Sequence, residues 1–358
     1  MSNGIRLAAG ALALSGLVAC ATPVTQQAPL DRALVEREAH IQQVLALRER
    51  FKMQWRLNRV SHPLLVAATA FCPGRTRQVL GFTYANAAGF PEAERAAAAE
   101  ALGLGERLQV VDVVPGGPAQ RAGLRVGDRL LAVAGRALPA GAEALAAAGR
   151  RFDQALAGGG PVVVAVEREG RRRRLELRPE TACAYPVVLV TGDAVNAFAD
   201  GRRVGVTTGM LRFVESDREL AVVVAHEIAH NAMGHMKKKV QNYALGTFFD
   251  ILAAAYGVDT RGTFGNLGAQ SYSKAFEGEA DYVGLYIMAR AGMDVRGTAN
   301  FWRRMAAVSP GAIQRALAVS HPSTPERYLA IEGATREILD KRAAGRPLLP
   351  ELKRVTGE

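Results

Sequence analysis

His226-Glu227-Ile228-Ala229-His230 places two imidazoles four residues apart with a carboxylate beside the first. On an α-helix, positions four apart share a face, so both rings can reach one metal ion. Glu227, one step on from His226, can lean over a metal-bound water and act as its general base. That is the chemistry of zinc-assisted hydrolysis. The flanking residues predict the helix it needs: Ser216-Asp217-Arg218-Glu219 forms a Ser-x-x-Glu capping box, and the apolar run Leu220 to Ala225 follows. The chain has six histidines, and His226, His230 and His235 fall within ten residues of one another, which argues against a chance match.

A hydrolytic zinc site needs at least one more protein ligand and an open position for water. His235 reads as a neighbouring polar residue at the helix end or, alternatively, as a direct ligand. Its spacing does not fit the pattern in which Gly and His follow the second ligand by three and six residues, because Met233 and Met236 stand there. Glu277 and Asp281 suit the task better. They lie four apart on one helix face, a ligating carboxylate with an acidic partner able to orient a histidine, while Glu279 points elsewhere. The alternative is an exposed acidic helix face.

These motifs together resemble the HtpX/BepA/CAAX-prenyl-protease group of gluzincins, membrane-associated zinc metalloendopeptidases. The resemblance rests on HExxH at 226–230 and Glu-x-Glu-Ala-Asp at 277–281. It is extended by Val195-Asn196-Ala197-Phe198-Ala199 with Thr207-Thr208-Gly209-Met210-Leu211, and by Ser320-His321-Pro322 with Arg327 five residues after the proline. It covers about residues 186–340. It implies one Zn2+ per chain bound by His226, His230 and Glu277, with Glu227 as base and Asp281 behind the ligands. His321 and Arg327 would lie close to the site, either one a donor to the oxyanion, or His321 a latch on the open metal position. Asn196, Ala197 and Phe198 would border the substrate. Residues 203–207 read as a strand, either an exposed edge that adds a substrate strand or an ordinary sheet strand.

Before this catalytic region the chain carries export signals. Met1 to Arg6 bears one positive charge, and Leu7 to Ala19 is an apolar stretch too short to span a bilayer comfortably. It ends in Leu17-Val18-Ala19-Cys20, which looks like a bacterial lipobox, so residues 1–20 would be a lipoprotein signal peptide and Cys20 the lipidated terminus. The alternative is a plain signal peptide cut near Ala19 or Ala21, or an uncleaved anchor. Ala21 after the cysteine favours, by resemblance to lipoprotein sorting, the periplasmic face of the outer membrane. Cys72 and Cys183 then remain, an even number in an oxidising compartment. They bracket the middle domain, whose two ends should be neighbours, and are expected to pair.

The middle domain, residues 76–181, resembles a bacterial PDZ domain. Val113-Val114-Pro115-Gly116-Gly117 predicts a strand entering a turn, a short helix ends at Gly123, and an apolar strand follows. Residues 141–157 predict a helix with Leu145, Phe152 and Leu156 on one stripe, and Val162–Glu167 with Arg174–Leu177 a hairpin around Gly170. Val79-Leu80-Gly81-Phe82 is the candidate carboxylate-binding loop, separated from the first core strand by an alanine-rich insertion at 92–102. The domain captures peptides or, alternatively, serves as a spacer or autoinhibitory module.

Residues 21–75 read as a linker with a charged helix at 29–60, on which Leu34, Ile41, Leu45 and Leu47 are available for packing. Tyr243 to Tyr256 reads as a helical hairpin near the active site, with a shallow membrane dip as the alternative. The peptidase domain is expected at 186–342, closing with a helix at 324–342, and a tail at 343–358. The fold class expected is α+β: a mainly helical gluzincin domain with a small sheet, plus the inserted β-rich PDZ-like domain. At 358 residues and 49% apolar content the chain can bury two cores. Its net charge of +11 invites a nucleic-acid reading that export and the absence of any such motif argue against; anionic membrane faces and acidic partners fit better. Two functions follow: a lipid-anchored endopeptidase clearing misfolded or unassembled envelope proteins, with the PDZ-like domain choosing clients, or a chaperone-like outer-membrane assembly factor with latent or weak protease activity.

Overall fold

A computed structural model describes residues 25, 28–241, 244, 247, 263–308 and 325–351. The lipobox with Cys20, the 243–256 segment apart from Ala244 and Thr247, His321 and residues 352–358 lie outside the described residues. Among the described residues no helix is long and apolar enough to cross a membrane.

The chain opens with helix α1 (Arg32–Ala67), whose N-cap Asp31 accepts from Ala33 N and Leu34 N. Its two halves belong to different surroundings. Leu57, Val60, Leu64 and Leu65, spaced three and four apart, enter the main core, so this half is a structural part of the catalytic body rather than a linker. Further towards the N-terminus only Leu47 of the four expected packing residues is buried; Leu34, Ile41 and Leu45 are exposed. There Val44 and Leu47 meet Ala97 and Ala98 of α2 (Arg95–Leu102), the alanine-rich insertion, with Phe51 and Phe90 packed alongside. Alanines let the two helices approach closely.

Strand β1 (Thr76–Val79) leaves this body and β8 (Glu180–Cys183) returns to it, paired antiparallel with Thr76 opposite Cys183. Cys72 and Cys183 are disulfide-bonded across the same neck, their Cα atoms 6.0 Å apart. Between them lies an antiparallel sheet in the order β2-β3-β4-β6-β7, formed by β2 (Phe82–Ala85), β3 (Gln109–Val113), β4 (Arg129–Val133), β6 (Val162–Arg168) and β7 (Arg171–Leu177), with β5 (Arg136–Ala137) beside β4. Helices α3 (Pro118–Arg121) and α4 (Ala144–Ala157) complete this domain, and Phe152 of α4 packs on Phe82 and Tyr84 of β2. Arg171 to Arg174 lie exposed on the edge strand β7, a solvated basic rim.

The catalytic body resumes with a three-stranded sheet, β10-β11-β9, from β9 (Val187–Val190), β10 (Ala197–Ala199) and β11 (Val204–Thr207). The strand at 203–207 is therefore central, flanked on both sides and buried along its length, and not the exposed edge. The edge is β10. Helices α5 (Thr208–Phe213) and α6 (Asp217–Ala232) pack on the sheet, and α7 (Thr263–Arg290), α8 (Thr298–Val308) and α9 (Pro325–Ala343) build outward from α6. Leu220 to Ala229 of α6 are all buried, as expected of a helix at the centre of its domain. Beyond α9 the chain folds back: Lys341 Nζ donates to Leu349 O, and Glu351 N to Tyr282 Oη. The molecule is α+β, a largely helical body with a small sheet plus a β-rich inserted domain.

Candidate metal centre and peptide clefts

Helix α6 starts where the capping residues predict. Ser216 Oγ accepts from Glu219 N at 3.3 Å, while the Glu219 carboxylate reaches Glu215 N at 2.8 Å, one residue earlier than an ideal capping box. Two turns on, His226 and His230 project from one face towards α7. The helices can meet because α7 carries Gly284 at the crossing: a Cβ there would lie 3.2 Å from His226 N. One turn back along α7, Asp281 Oδ1 sits 2.9 Å from His226 Nδ1, and another turn back lies Glu277.

The nitrogens Nε2 of His226 and His230 are 3.0 Å apart, and each is 3.3 Å from a Glu277 carboxylate oxygen. Four ligands at about 2.0–2.1 Å around a tetrahedral zinc are separated by roughly 3.3 Å. Two imidazoles and a carboxylate at this spacing fit a zinc ion with one position left for water. Among the described residues this is the one His/Cys/Asp/Glu cluster with such mutual spacing.

The surroundings hold the ligands in place. Asp281, 6% exposed, accepts from Arg327 Nε at 2.5 Å and Nη2 at 2.9 Å. Burial pushes its carboxyl up, but Arg327 and His226 outweigh that and hold it below the usual range. Burial likewise opposes protonation of His226, yet Asp281 and Glu277 prevail and the ring is pushed up to about 9. Arg327 also approaches Glu277 at 3.5 Å and lies over the Trp302 ring, which itself contacts His226. Arg327 is thus buried among Asp281, Glu277 and Trp302. In this place it can hold the Asp281 and Glu277 carboxylates in position.

Glu227 is 2% exposed and lines a cleft of about 340 Å3 together with His230, Glu277, Phe198, Phe276 and Met236. The far wall is β10. Phe198 and Gly205 face each other across β10 and β11, where a side chain on Gly205 would collide with the Phe198 ring. Thr207 N donates to Asn196 O and Asp200 N to Arg203 O, so the alternation of an antiparallel ladder turns the main-chain groups of Ala197 and Ala199 outward. Asn196, Ala197 and Phe198 therefore lie on or beside the edge strand, with Phe198 and Ala199 in the cleft wall. Asn231, which no sequence motif singles out, locks this edge to helix α6: its side chain accepts from Gly201 N and donates to Arg203 O.

A second cleft, about 360 Å3, opens between β2 and α4 at Leu80-Gly81-Phe82, walled by Tyr84, Phe152 and Leu156. Its opposite side is Asn58, Ser61 and His62 of α1, so the inserted domain's groove faces the catalytic body.

Two family models match parts of the chain. Residues 172–335 match the model of peptidase family M48, and residues 109–151 that of the PDZ domain. The chain is 35% identical over 155 residues to the mitochondrial metalloendopeptidase OMA1 of Schizosaccharomyces pombe, covering 41% of this chain and 45% of that protein. It is 32% identical over 143 residues to the metalloprotease LoiP of Escherichia coli, covering 37% and 56%. It is 32% identical over 133 residues to the beta-barrel assembly-enhancing protease of Yersinia pestis, covering 33% and 27%. The match thus spans between about a quarter and just over half the length of these relatives. The histidine–glutamate cluster lies inside the matched catalytic segment and the β2–α4 groove beside the other, and the chain carries a peptidase family M48 domain joined to a PDZ domain.

Proposed function

We propose that this protein is a zinc endopeptidase of the bacterial cell envelope that cleaves extended segments of misfolded or unassembled proteins. The observation that carries the proposal is the three-donor set at zinc spacing with Glu227 beside it in a cleft bordered by β10, the edge strand of its sheet among the described residues. Zinc bound by His226, His230 and Glu277 would supply Lewis acidity to the scissile peptide bond. The chain's own residues do the rest. Glu227 takes the proton of the attacking water and passes it to the leaving amine. Ala199, in the cleft wall with its main-chain groups turned away from β11, offers a point of strand addition on β10 that would hold the substrate extended. Phe198, Phe276 and Met236 give the cleft an apolar lining suited to the exposed side chains of unfolded clients.

The PDZ groove selects clients by adding a peptide strand to β2. The apolar N-terminal stretch and the lipobox-like Leu17-Val18-Ala19-Cys20 support a periplasmic enzyme anchored through Cys20 at the outer membrane. Purified protein lacking residues 1–20 tests the central claim, by zinc content and casein cleavage beside Glu227→Gln. About one zinc per chain, with cleavage in the parent and a loss of at least about 100-fold in the variant, supports it. Zinc without cleavage in either protein transfers the weight to the chaperone-like assembly role.

A further inference from the structure

His230 is backed by a second histidine that the chemistry above does not use. His235 is 3% exposed, and its Nδ1 lies 2.8 Å from His230 Nδ1. Its Nε2 lies 2.8 Å from Glu279 Oε2, and its ring stacks on Phe276 with centroids 4.7 Å apart. Helix α6 ends at Ala232, and Gly234, at φ +67°, turns the chain so that the next residue folds back over His230. Glu279, two residues from Glu277 on α7, faces His235 while Glu277 faces the ligand cluster.

The chemistry of the groups fixes the direction of this chain of hydrogen bonds. His230 must present the lone pair of Nε2 to a metal, so its proton sits on Nδ1 and is donated to His235 Nδ1. His235 then carries its own proton on Nε2 and donates it to the Glu279 carboxylate, which can only accept. We propose that His235 and Glu279 are positioning residues that lock the tautomer and ring orientation of His230, as Asp281 and Arg327 do for His226. Each histidine ligand thereby has its own support, and the two supports stand on opposite sides of the cluster. The proposal rests on the zinc reading of His226, His230 and Glu277.

Cobalt(II) in place of zinc gives readouts independent of turnover. Metal affinity by chelator competition and the cobalt absorption bands are measured for the parent, His235→Phe, His235→Asn, Glu279→Gln and the double variant His235→Phe/Glu279→Gln. Phenylalanine keeps the stack on Phe276 and removes the acceptor; asparagine restores an acceptor oxygen near the place of Nδ1. The expected result is a loss of about 10–100-fold in affinity with shifted bands for His235→Phe. Substantial recovery is expected in His235→Asn, a smaller loss in Glu279→Gln, and no further loss when Glu279→Gln is added to His235→Phe. Parental affinity and bands in a folded His235→Phe would overturn the proposal, as would a loss that asparagine fails to restore. If His235→Phe does not fold, Glu279→Leu, which removes the acceptor that glutamine would keep, decides alone: the Glu279 side chain is 44% exposed, and parental affinity and bands in that variant refute the relay. A parent that binds no cobalt or zinc at all refutes the metal reading itself, a distinguishable failure.

Discussion

Replacing Asp281 with alanine is expected to destabilise the catalytic body more than any other single change at the ligand cluster. The carboxylate accepts two hydrogen bonds from Arg327, at 2.5 and 2.9 Å, and lies 2.9 Å from His226 Nδ1. Both Asp281 and Arg327 are 6% exposed, so the substitution strands a buried guanidinium without its main counter-charge. Breaking one side of such a pair costs about 3–5 kcal/mol, a large share of the roughly 5–15 kcal/mol that holds a domain folded. Urea denaturation of metal-free protein measures it. The double variant Asp281→Leu/Arg327→Met removes both charges and should recover most of that stability, because a buried ion pair exchanged for apolar groups of similar size is often neutral. Metal affinity should separate from stability. Both variants deprive His226 Nδ1 of its acceptor, so both should bind zinc about 10–100-fold more weakly in chelator competition. A stability change within about 0.5 kcal/mol in Asp281→Ala would refute the buried-pair argument. Full recovery of zinc affinity in the double variant would show that Asp281 does not act by orienting His226.

Gly284→Ala inserts a Cβ about 3.2–3.3 Å from the backbone at Ala225 and His226, forcing α7 away from α6. Thermal unfolding should register a loss of about 1–3 kcal/mol, and zinc affinity should fall with it, since Glu277 and Asp281 ride on α7. The Cys72–Cys183 bridge closes a loop with a sequence separation of 111, so replacing both cysteines by serine should lower the urea midpoint by the equivalent of about 2–5 kcal/mol. A reductant should reproduce the shift in the parent and leave the serine variant unmoved. His62 at the neck is held below 6.5, because burial and the nearby Arg121 and Arg77 outweigh Glu180. The unfolded chain therefore takes up this proton first, and stability should decline as pH falls below about 6.5 until it passes the folded value. His62→Gln should remove that part of the slope; an unchanged pH profile of the denaturation midpoint would contradict the assignment.

The clustering of His226, His230 and Glu277 was legible because the spacing within each helix is local. His226 with His230, and Glu277 with Asp281, are each pairs four apart on a helix, and helical geometry alone puts each pair on one face. The neck was legible from the two cysteines bracketing a compact insertion. What escaped the sequence depends on chain reversals and on packing between distant segments. His235 reaches His230 only because Gly234 takes a left-handed conformation, which spacing rules for a continuous helix do not anticipate. Strand order in a sheet is likewise non-local, so residues 203–207 read equally as an exposed edge or an ordinary sheet strand, and only the sheet order puts β10 at the edge. Val204 to Thr207 carried a hint, since Val-Gly-Val without an intervening polar residue suits a strand covered on both faces. Helix α1 misled through its charge: the expected apolar residues Leu34, Ile41 and Leu45 stay in solvent, whereas the Leu57, Val60 and Leu64 series enters the core.

Because α1 belongs to the catalytic body while α6 and α7 follow the inserted domain, the body is discontinuous in the chain and has a built-in order of assembly. Leu57, Val60, Leu64 and Leu65 have no complete partner surface until α6 and α7 have emerged, more than a hundred residues later. The inserted sheet, by contrast, is contiguous and carries its own core. It can fold first, and in doing so it brings Cys72 and Cys183 to Cα atoms 6.0 Å apart, turning a long-range encounter between the halves of the body into a short-range one. An inserted domain that folds first would hold the two halves of the body together at its neck. A lesion in its core should appear as slow or failed maturation of the metal centre even where every ligand is intact.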